Sequence, residues 1–353
     1  MKRHHPAALV LVTTVGLLLF APAAASARSQ GAGDWDDSDD TRAVALLGRA
    51  AAALDQVSYS GTRIISSWGP DSSTTVLVDV EHVASQGTLV RMRGGGVADD
   101  TAAFLAAGEG DSPQRPDFGP DSLQLLTASY DVRRGAPSRV AGRSAQVVEI
   151  AQGATLVARI WVDEQSGLPL RREMFDAAGR LAIESAFIDL RITDTAFLAH
   201  LPPSSPRAQS DQVDPVALPM LRERGWPCPP QVGSLRMVGV ERMESSSALH
   251  VSYSDGLSRV SVFEQRGALL DEPLAGFTPT RLGGTVVQLR VGMPSYAVWE
   301  DAGTVYTVVT DAPVDTVAEV VASYPHSGGS ESGFWTRVAG GVGRLSAWVT
   351  PLV

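Results

Sequence analysis

Between Tyr59 and Thr310 the chain consists mostly of short runs of alternating apolar and polar residues, broken by Gly, Pro, Ser and Asp. This two-residue period constrains the fold most, because successive strand side chains point to opposite faces of a sheet. The first half reads as strands at Tyr59–Trp68, Thr74–Ala84, Thr88–Arg93, Tyr130–Arg134, Ala145–Ile150, Leu156–Val162, Leu170–Phe175 and Leu181–Ile192. Within one of them Arg159, Trp161 and Asp163 alternate with Ile160 and Val162, as a half-exposed strand should. The second half reads as strands at Leu235–Glu241, Leu249–Tyr253, Ser258–Gln265, Thr285–Val291, Tyr296–Glu300 and Thr304–Thr310.

Helical spacing interrupts this pattern in few places. Val44, Leu46, Leu47, Ala50, Ala51 and Leu54 suit one amphipathic helix, with Asp40 or Thr41 as its N-cap. Ser122–Ala128 is a shorter helix, and Val314–Ser323 another, with Pro313 and Asp315 at its start. Phe334–Val349 reads as a final helix weakened by Gly340, Gly341 and Gly343. A helix followed by successive short strands predicts an α+β fold, an antiparallel sheet with a helix laid on one face.

The 353 residues suit two domains. Pro202, Pro203 and Pro206, among Ser, Gln and Asp, mark 201–217 as a linker between domains at 41–200 and 218–353. Residues 28–40, small and acidic, read as a disordered leader, and Gly94–Pro120 as the least structured part of the first domain.

The N-terminus has the layout of a secretory signal peptide. Lys2, Arg3, His4 and His5 give a cationic start, Ala7–Ala21 an apolar run, and Ala25-Ser26-Ala27 a small-residue cleavage site. The run is shorter than the ~20 residues that span a bilayer. Cleavage after about Ala27 would leave a mature extracytoplasmic chain without an integral membrane span. With 39 acidic against 29 basic residues, the chain lacks the basic balance of a nucleic-acid binder. Its one cysteine, Cys228, excludes an internal disulfide and cysteine-cluster metal sites.

Candidates for catalysis are few. His82, His200, His250 and His326 form no metal-ligand pattern, and there is no G-x-S-x-G elbow. His250, Ser252, Ser254 and Asp255 lie on one strand and its turn, where neighbours alternate faces and a triad cannot converge readily. The bland reading is a solvated hairpin end at Ser254-Asp255-Gly256. Asp163 and Glu164 are adjacent on a strand and so face opposite ways. Cys228 sits in a proline-rich apolar segment as an inert thiol. The chain reads as a binding protein with no catalytic residue, cofactor or metal. Trp68, Trp161, Phe175 and Phe187 are candidates to line an apolar cavity between sheet and helices, against ordinary core packing as the plainer reading.

Three stretches resemble a known family. Arg139-Val140-Ala141-Gly142-Arg143, followed by Trp161-Val162-Asp163-Glu164-Gln165-Ser166-Gly167-Leu168-Pro169-Leu170-Arg171-Arg172-Glu173, resembles the R-V-A-G-R … W-L-D-x-x-T/S-G-L-x-L-K/R pattern of the MucB/RseB family. Leu54 to Thr62 is similar to its helix-to-first-strand junction, L-x-x-x-x-Y-x-G-T. Tyr253-Ser254-Asp255-Gly256-Leu257 through Ser261-Val262-Phe263 is similar to its Y-S-D-G-L-x-x-x-S-V-F strand pair.

The resemblance implies a LolA/LolB-like half-barrel, a curved antiparallel sheet closed by helices around an apolar cavity. It implies a smaller C-terminal α/β domain, here with an extra tail after Gly333. The implied role is regulation of an extracytoplasmic-function sigma factor: binding the extracytoplasmic domain of a membrane anti-sigma factor, shielding it from proteolysis, and releasing it on a lipid-like or envelope-stress signal. The alternative is a lipid or lipoprotein carrier or sensor without that partner. The second domain favours regulation, since a carrier needs only the curved sheet. Arg259 is the candidate partner-binding residue, with Ser254 and Asp255 beside it, because arginine is enriched at interfaces and its guanidinium fork pairs with carboxylates.

Overall fold

A computed structural model describes residues 37–84, 86–93, 102–106, 120–193, 210–243, 248–269 and 274–326. Helix α1 (Asp37–Gln56) leads into β1 (Tyr59–Trp68), β2 (Ser73–Val83), β3 (Gly87–Arg93) and β4 (Ala102–Ala106). Helix α2 (Pro120–Ser129) precedes β5 (Asp131–Arg134), β6 (Ser138–Val140), β7 (Arg143–Gln152), β8 (Thr155–Asp163), β9 (Pro169–Phe175) and β10 (Leu181–Ile192). These strands form one antiparallel sheet in the order β4-β3-β2-β1-β10-β9-β8-β7-β5, with β6 paired to β7. Chain order therefore doubles back: β1 pairs with the last strand, β10, and the helices lie across one face.

Helix α1 forms because its apolar residues recur at helical spacing. Ala43, Leu47, Ala50 and Leu54 are all buried. The helix begins at Asp37, so the last four residues of the expected disordered leader are helical. Exposed Asp40 stands in its early turns, where a carboxylate meets the positive end of the helix dipole. Ala43, Leu47 and Ala50 pack with Leu126 of α2 and with Val148, Ile150, Ile160, Met174 and Ile183 of the sheet. Ala53 and Leu54, one turn on, pack with a second group containing Ile65, Val78, Val80 and Phe187.

The second sheet follows: β11 (Ser210–Gln212), a 3₁₀ turn (Pro215–Ala217), helix α3 (Leu218–Glu223), β12 (Gln231–Val232), β13 (Leu235–Met243), β14 (Ala248–Ser254), β15 (Arg259–Arg266), β16 (Thr278–Leu282), β17 (Thr285–Arg290), β18 (Ser295–Asp301), β19 (Thr304–Thr310) and helix α4 (Val314–Ser323). Its order is β11-β13-β14-β15-β19-β18-β17-β16, with β12 on β13, and every pairing is antiparallel. Val317, Val320 and Val321 of α4 close one face over Val251, Val262, Val308 and Ala297. Those four sheet residues are register partners in a single row across β14, β15, β19 and β18. Helix and sheet thus bury a shared apolar stripe.

Of the stretch expected as a linker, 210–217 is structured and β11 pairs with β13. Of the stretch expected to be loop-rich, residues 102–106 form β4. The expected signal peptide, residues 201–209 and the final helix with its tail lie outside the described residues.

Candidate ligand and partner site

The family-like stretch of the first sheet is a clamp on the β8–β9 turn. Arg143 grips Asp163 with two hydrogen bonds, Nε to Oδ1 at 2.9 Å and Nη2 to Oδ2 at 2.8 Å. Ser166 adds its backbone N–H (2.7 Å) and its hydroxyl (2.6 Å) to Oδ2 of the same carboxylate. Burial pushes the Asp163 carboxyl up, but the hydrogen bonds from Arg143 and Ser166 outweigh it and hold the group below the usual carboxylate range. Asp163 is therefore engaged structurally and is not paired with Glu164 for acid–base work. A cleft of about 710 Å³ lies beside the clamp, lined by Gln56, Val57, Ser58, Ala84, Arg143, Gln165, Ser166, Ile192 and Thr193.

None of the four aromatic candidates lines that cleft. Trp161 and Phe187 are buried in one cluster of the first sheet. Trp161 lies under the Arg171 guanidinium, 4.9 Å from the ring centroid. Phe187 meets Tyr59 edge-on at 5.8 Å and carries the Arg63 guanidinium 4.6 Å over its face. Phe175 is half-buried, with Arg159 at 5.8 Å, and Trp68, 38% exposed, ends β1. The structure brings Trp161 and Phe187 together in a packed core and leaves Phe175 and Trp68 outside that cluster.

The family-like stretch of the second sheet lies against the first sheet. The turn at Ser254–Ser258 is not a solvated hairpin end, because Ser254, Asp255, Leu257 and Ser258 are all buried. Asp255 Oδ1 accepts from the N–H groups of Leu257 (2.9 Å) and Ser258 (2.7 Å), and Oδ2 accepts from the Tyr130 hydroxyl at 2.6 Å. Ser254 Oγ donates to the Ser258 carbonyl at 3.0 Å and accepts from the Gly256 N–H at 3.0 Å. Gly256 has φ +84°, and a Cβ there would stand 2.1 Å from the Ser122 carbonyl oxygen and 2.4 Å from the Leu126 nitrogen. Only glycine lets the turn approach α2 so closely.

Leu257 itself inserts among the buried residues of α1, α2 and the first sheet. Behind it, Arg172 Nη1 donates to Asp311 Oδ2 at 2.7 Å and Nη2 to the Leu257 carbonyl at 2.8 Å. Both charged side chains are nearly inaccessible, at 5% and 6%. Asp311 Oδ1 accepts from the Arg259 N–H at 3.0 Å, and Arg259 is half-buried. A second turn completes the contact: Ser67 donates to the Gly292 carbonyl at 2.9 Å and Thr74 to that of Val291 at 3.0 Å. The sequence marks Ser254, Asp255 and Arg259, holds Arg172 only as part of the family-like run, and gives no site role to Tyr130 or Asp311. Their only signal is charge or hydroxyl placed on strands and helix ends otherwise rich in apolar residues.

The other reactive groups are tied up too. His250 Nε2 is 3.3 Å from Ser252 Oγ and its ring stacks on Phe263 at 4.6 Å, while Asp255 is committed to Tyr130. Burial pushes the Cys228 thiol up to about 12, so it is no nucleophile. Among the described residues no cluster of His, Cys, Asp and Glu could hold a metal ion, and no helix is long and apolar enough to cross a membrane.

Residues 97–217 match the family model of the MucB/RseB N-terminal domain. This stretch, about a third of the chain, is similar to that domain. The match runs from before α2 through β10 to the 3₁₀ turn and contains the Arg143–Asp163 clamp, Tyr130 and Arg172. The Sigma-E factor regulatory protein RseB of Haemophilus influenzae is 29% identical over 151 residues, which are 40% of this chain and 46% of RseB. The chain thus spans about half the length of the curated relative it matches. A crystal structure of MucB is 20% identical with a TM-score of 0.50, covering 80% of this chain and 97% of MucB. A structure of MucB in complex with MucA(peri) is 21% identical with a TM-score of 0.47, covering 79% and 97%. At these identities the likeness to MucB is one of fold.

Proposed function

We propose that this MucB/RseB-type chain is an extracytoplasmic regulator without catalytic activity. It holds the extracytoplasmic segment of a membrane anti-sigma factor and releases it on a lipid-like signal. The observation that carries this reading is the MucB/RseB domain match, which sits on a chain with the MucB fold. One such fold is solved as MucB in complex with MucA(peri), which supports a polypeptide partner for this architecture. The tying of Asp163, Asp255 and Cys228 into structural bonds supports binding over chemistry.

The contact surface is assigned to the second sheet around Arg259, with the Ser254–Asp255 turn setting its position. The test is titration calorimetry of the secreted chain against the extracytoplasmic segments of the single-span anti-sigma factors of its own organism. One segment should bind, and Arg259→Glu should weaken it by more than about 1 kcal/mol, the scale of an interface hot spot. If no segment binds, the regulator reading fails. If Arg259→Glu folds and binds normally, the surface lies elsewhere.

A further inference from the structure

We propose that residues 226–230 are a strap on the second sheet that Glu264 of β15 opens and shuts: held down while its carboxyl carries a proton, and released once the proton leaves. The device is separate from the partner contact proposed above, and neither needs the other. The strap is Trp226-Pro227-Cys228-Pro229-Pro230, between α3 and β12. Its ends are tied down, the Trp226 N–H to the Leu221 carbonyl and the Pro230 carbonyl to the Met237 N–H, both at 3.1 Å.

The middle of the strap has few ties. Proline has no N–H, so from 227 to 230 the one backbone donor is Cys228. That N–H goes to Glu264 Oε1 at 3.3 Å. Cys228 is held at φ +36°, a left-handed conformation that strains a residue with a side chain, and lifting the strap relieves it. The rest of the clasp acts on carbonyls. Arg222 Nε and Nη2 donate to the Cys228 carbonyl at 3.1 and 2.9 Å, and the Tyr253 hydroxyl donates to that of Pro229 at 2.9 Å. Arg266 Nη2 donates to the Arg224 and Gly225 carbonyls, each at 3.0 Å, and its guanidinium lies 4.5 Å from the Trp226 ring centroid.

Glu264 is fully buried, and its Oε2 has no hydrogen-bond partner. Facing it are Arg266 on its own strand, Tyr253 of β14, Tyr306 of β19 with Asp301 beyond, Tyr324 after α4, Cys228 in the strap and Arg222 of α3. Burial raises the Cys228 thiol and the Tyr306 hydroxyl to about 12 and holds Tyr253 and Tyr324 above the usual tyrosine range. Glu264, raised by burial to about 7, is the group of this set that titrates near neutrality. A carboxylate here is a full charge shut away from water on one long hydrogen bond. The cations that face it, Arg266 and Arg222, are both spent on carbonyls in and beside the strap. Drawing either one toward the carboxylate takes it off the clasp. The proton on Glu264 thus decides whether the arginines hold the strap or the acid.

Cys228 is the one thiol of the chain, so its alkylation reads the strap alone. The mature chain is treated with N-ethylmaleimide from pH 5.5 to pH 8.5 beside Glu264→Gln, whose neutral amide keeps an acceptor for the Cys228 N–H and whose thiol meets the same pH. The ratio of wild-type to variant alkylation rates should be about one at pH 5.5 and at least ten at pH 8.5, with its midpoint near pH 7. Amide hydrogen exchange of the wild type gives a reading that needs no variant. Protection of the Cys228 amide should fall at least tenfold between pH 6 and pH 8, while that of Val317, Val320 and Val321 of α4, packed in the same cluster, holds. An alkylation ratio that stays flat with pH overturns the proposal, and so does a Cys228 amide as protected at pH 8 as at pH 6. Equal loss of protection at the three α4 valines also overturns it, because the whole cluster and not the strap would then be opening.

Discussion

Glu264→Gln should stabilise the protein at pH 8 and leave it little changed at pH 4. Glu264 lies on β15 of the second sheet, fully buried. Its Oε1 accepts from the Cys228 N–H at 3.3 Å, and its Oε2 is buried without a hydrogen-bond partner. Burial raises its carboxyl pKa from 4.5 to about 7. Folding therefore binds a proton that the unfolded chain has already released between pH 4.5 and pH 7. Where the folded state binds more protons, stability falls as pH rises. Glu264 alone should thus cost about 3 kcal/mol across that window, at about 1.4 kcal/mol per pKa unit, with no further loss above pH 7. Glutamine keeps the shape and an acceptor for Cys228 but has no charge to bury. Urea unfolding of wild type and variant at pH 4, 6 and 8 isolates the effect, because every other titrating group is common to both. The advantage of the variant should grow by about 3 kcal/mol from pH 4 to pH 8. A difference that is flat with pH would show that Glu264 ionises freely in the fold, and the reasoning would be wrong.

Three further outcomes follow from the structure and the sequence. Asp163→Ala should destabilise by about 3 kcal/mol, since it strips Arg143 and the β8–β9 turn of a shared acceptor, and a urea midpoint equal to wild type would refute the clamp. A protease nick within 201–209 should give two fragments that co-elute on gel filtration, because Arg172–Asp311 and Tyr130–Asp255 join the two sheets through buried contacts; fragments that separate would show that the contact is weak. N-terminal sequencing of the exported protein should begin near Arg28, and a retained Met1 would refute signal cleavage.

Strands were legible where alternation ran unbroken. Tyr59–Trp68, Leu181–Ile192 and Thr304–Thr310 have the limits that their residue pattern predicts, and so does the helix Val314–Ser323. Elements were missed where the local signal was weak or opposed. Thr278–Leu282 contains Pro279, which argues against a strand, yet β16 is an edge strand, where a missing N–H can be tolerated. The stretches Ser138–Val140 and Gln231–Val232 are too short to show any period. Their pairing is set by long stretches of neighbouring strand, which is tertiary information.

The site was less legible than the fold, and the turn at Ser254–Ser258 shows why. Its Ser, Asp and Gly are the residues of an exposed hairpin end, and a reading from composition places them in water. What buries them is Tyr130, 125 positions away in sequence, and the backbone of α2, which leaves no room for a Cβ at position 256. The same residue types serve both situations because a tight turn must satisfy its own N–H groups in either. Asp255 does so for Leu257 and Ser258 and still has an oxygen for the Tyr130 hydroxyl. Burial and the hydrogen bond to Asp255 together hold Tyr130 above the usual tyrosine pKa, so it remains a donor throughout the physiological range. A turn that satisfies itself can be seated or withdrawn without stranding its backbone. Arg172 of β9 meets two separate stretches of the second sheet, the Leu257 carbonyl in the turn and Asp311 just after β19, so the turn is seated by a guanidinium that also holds a strand end.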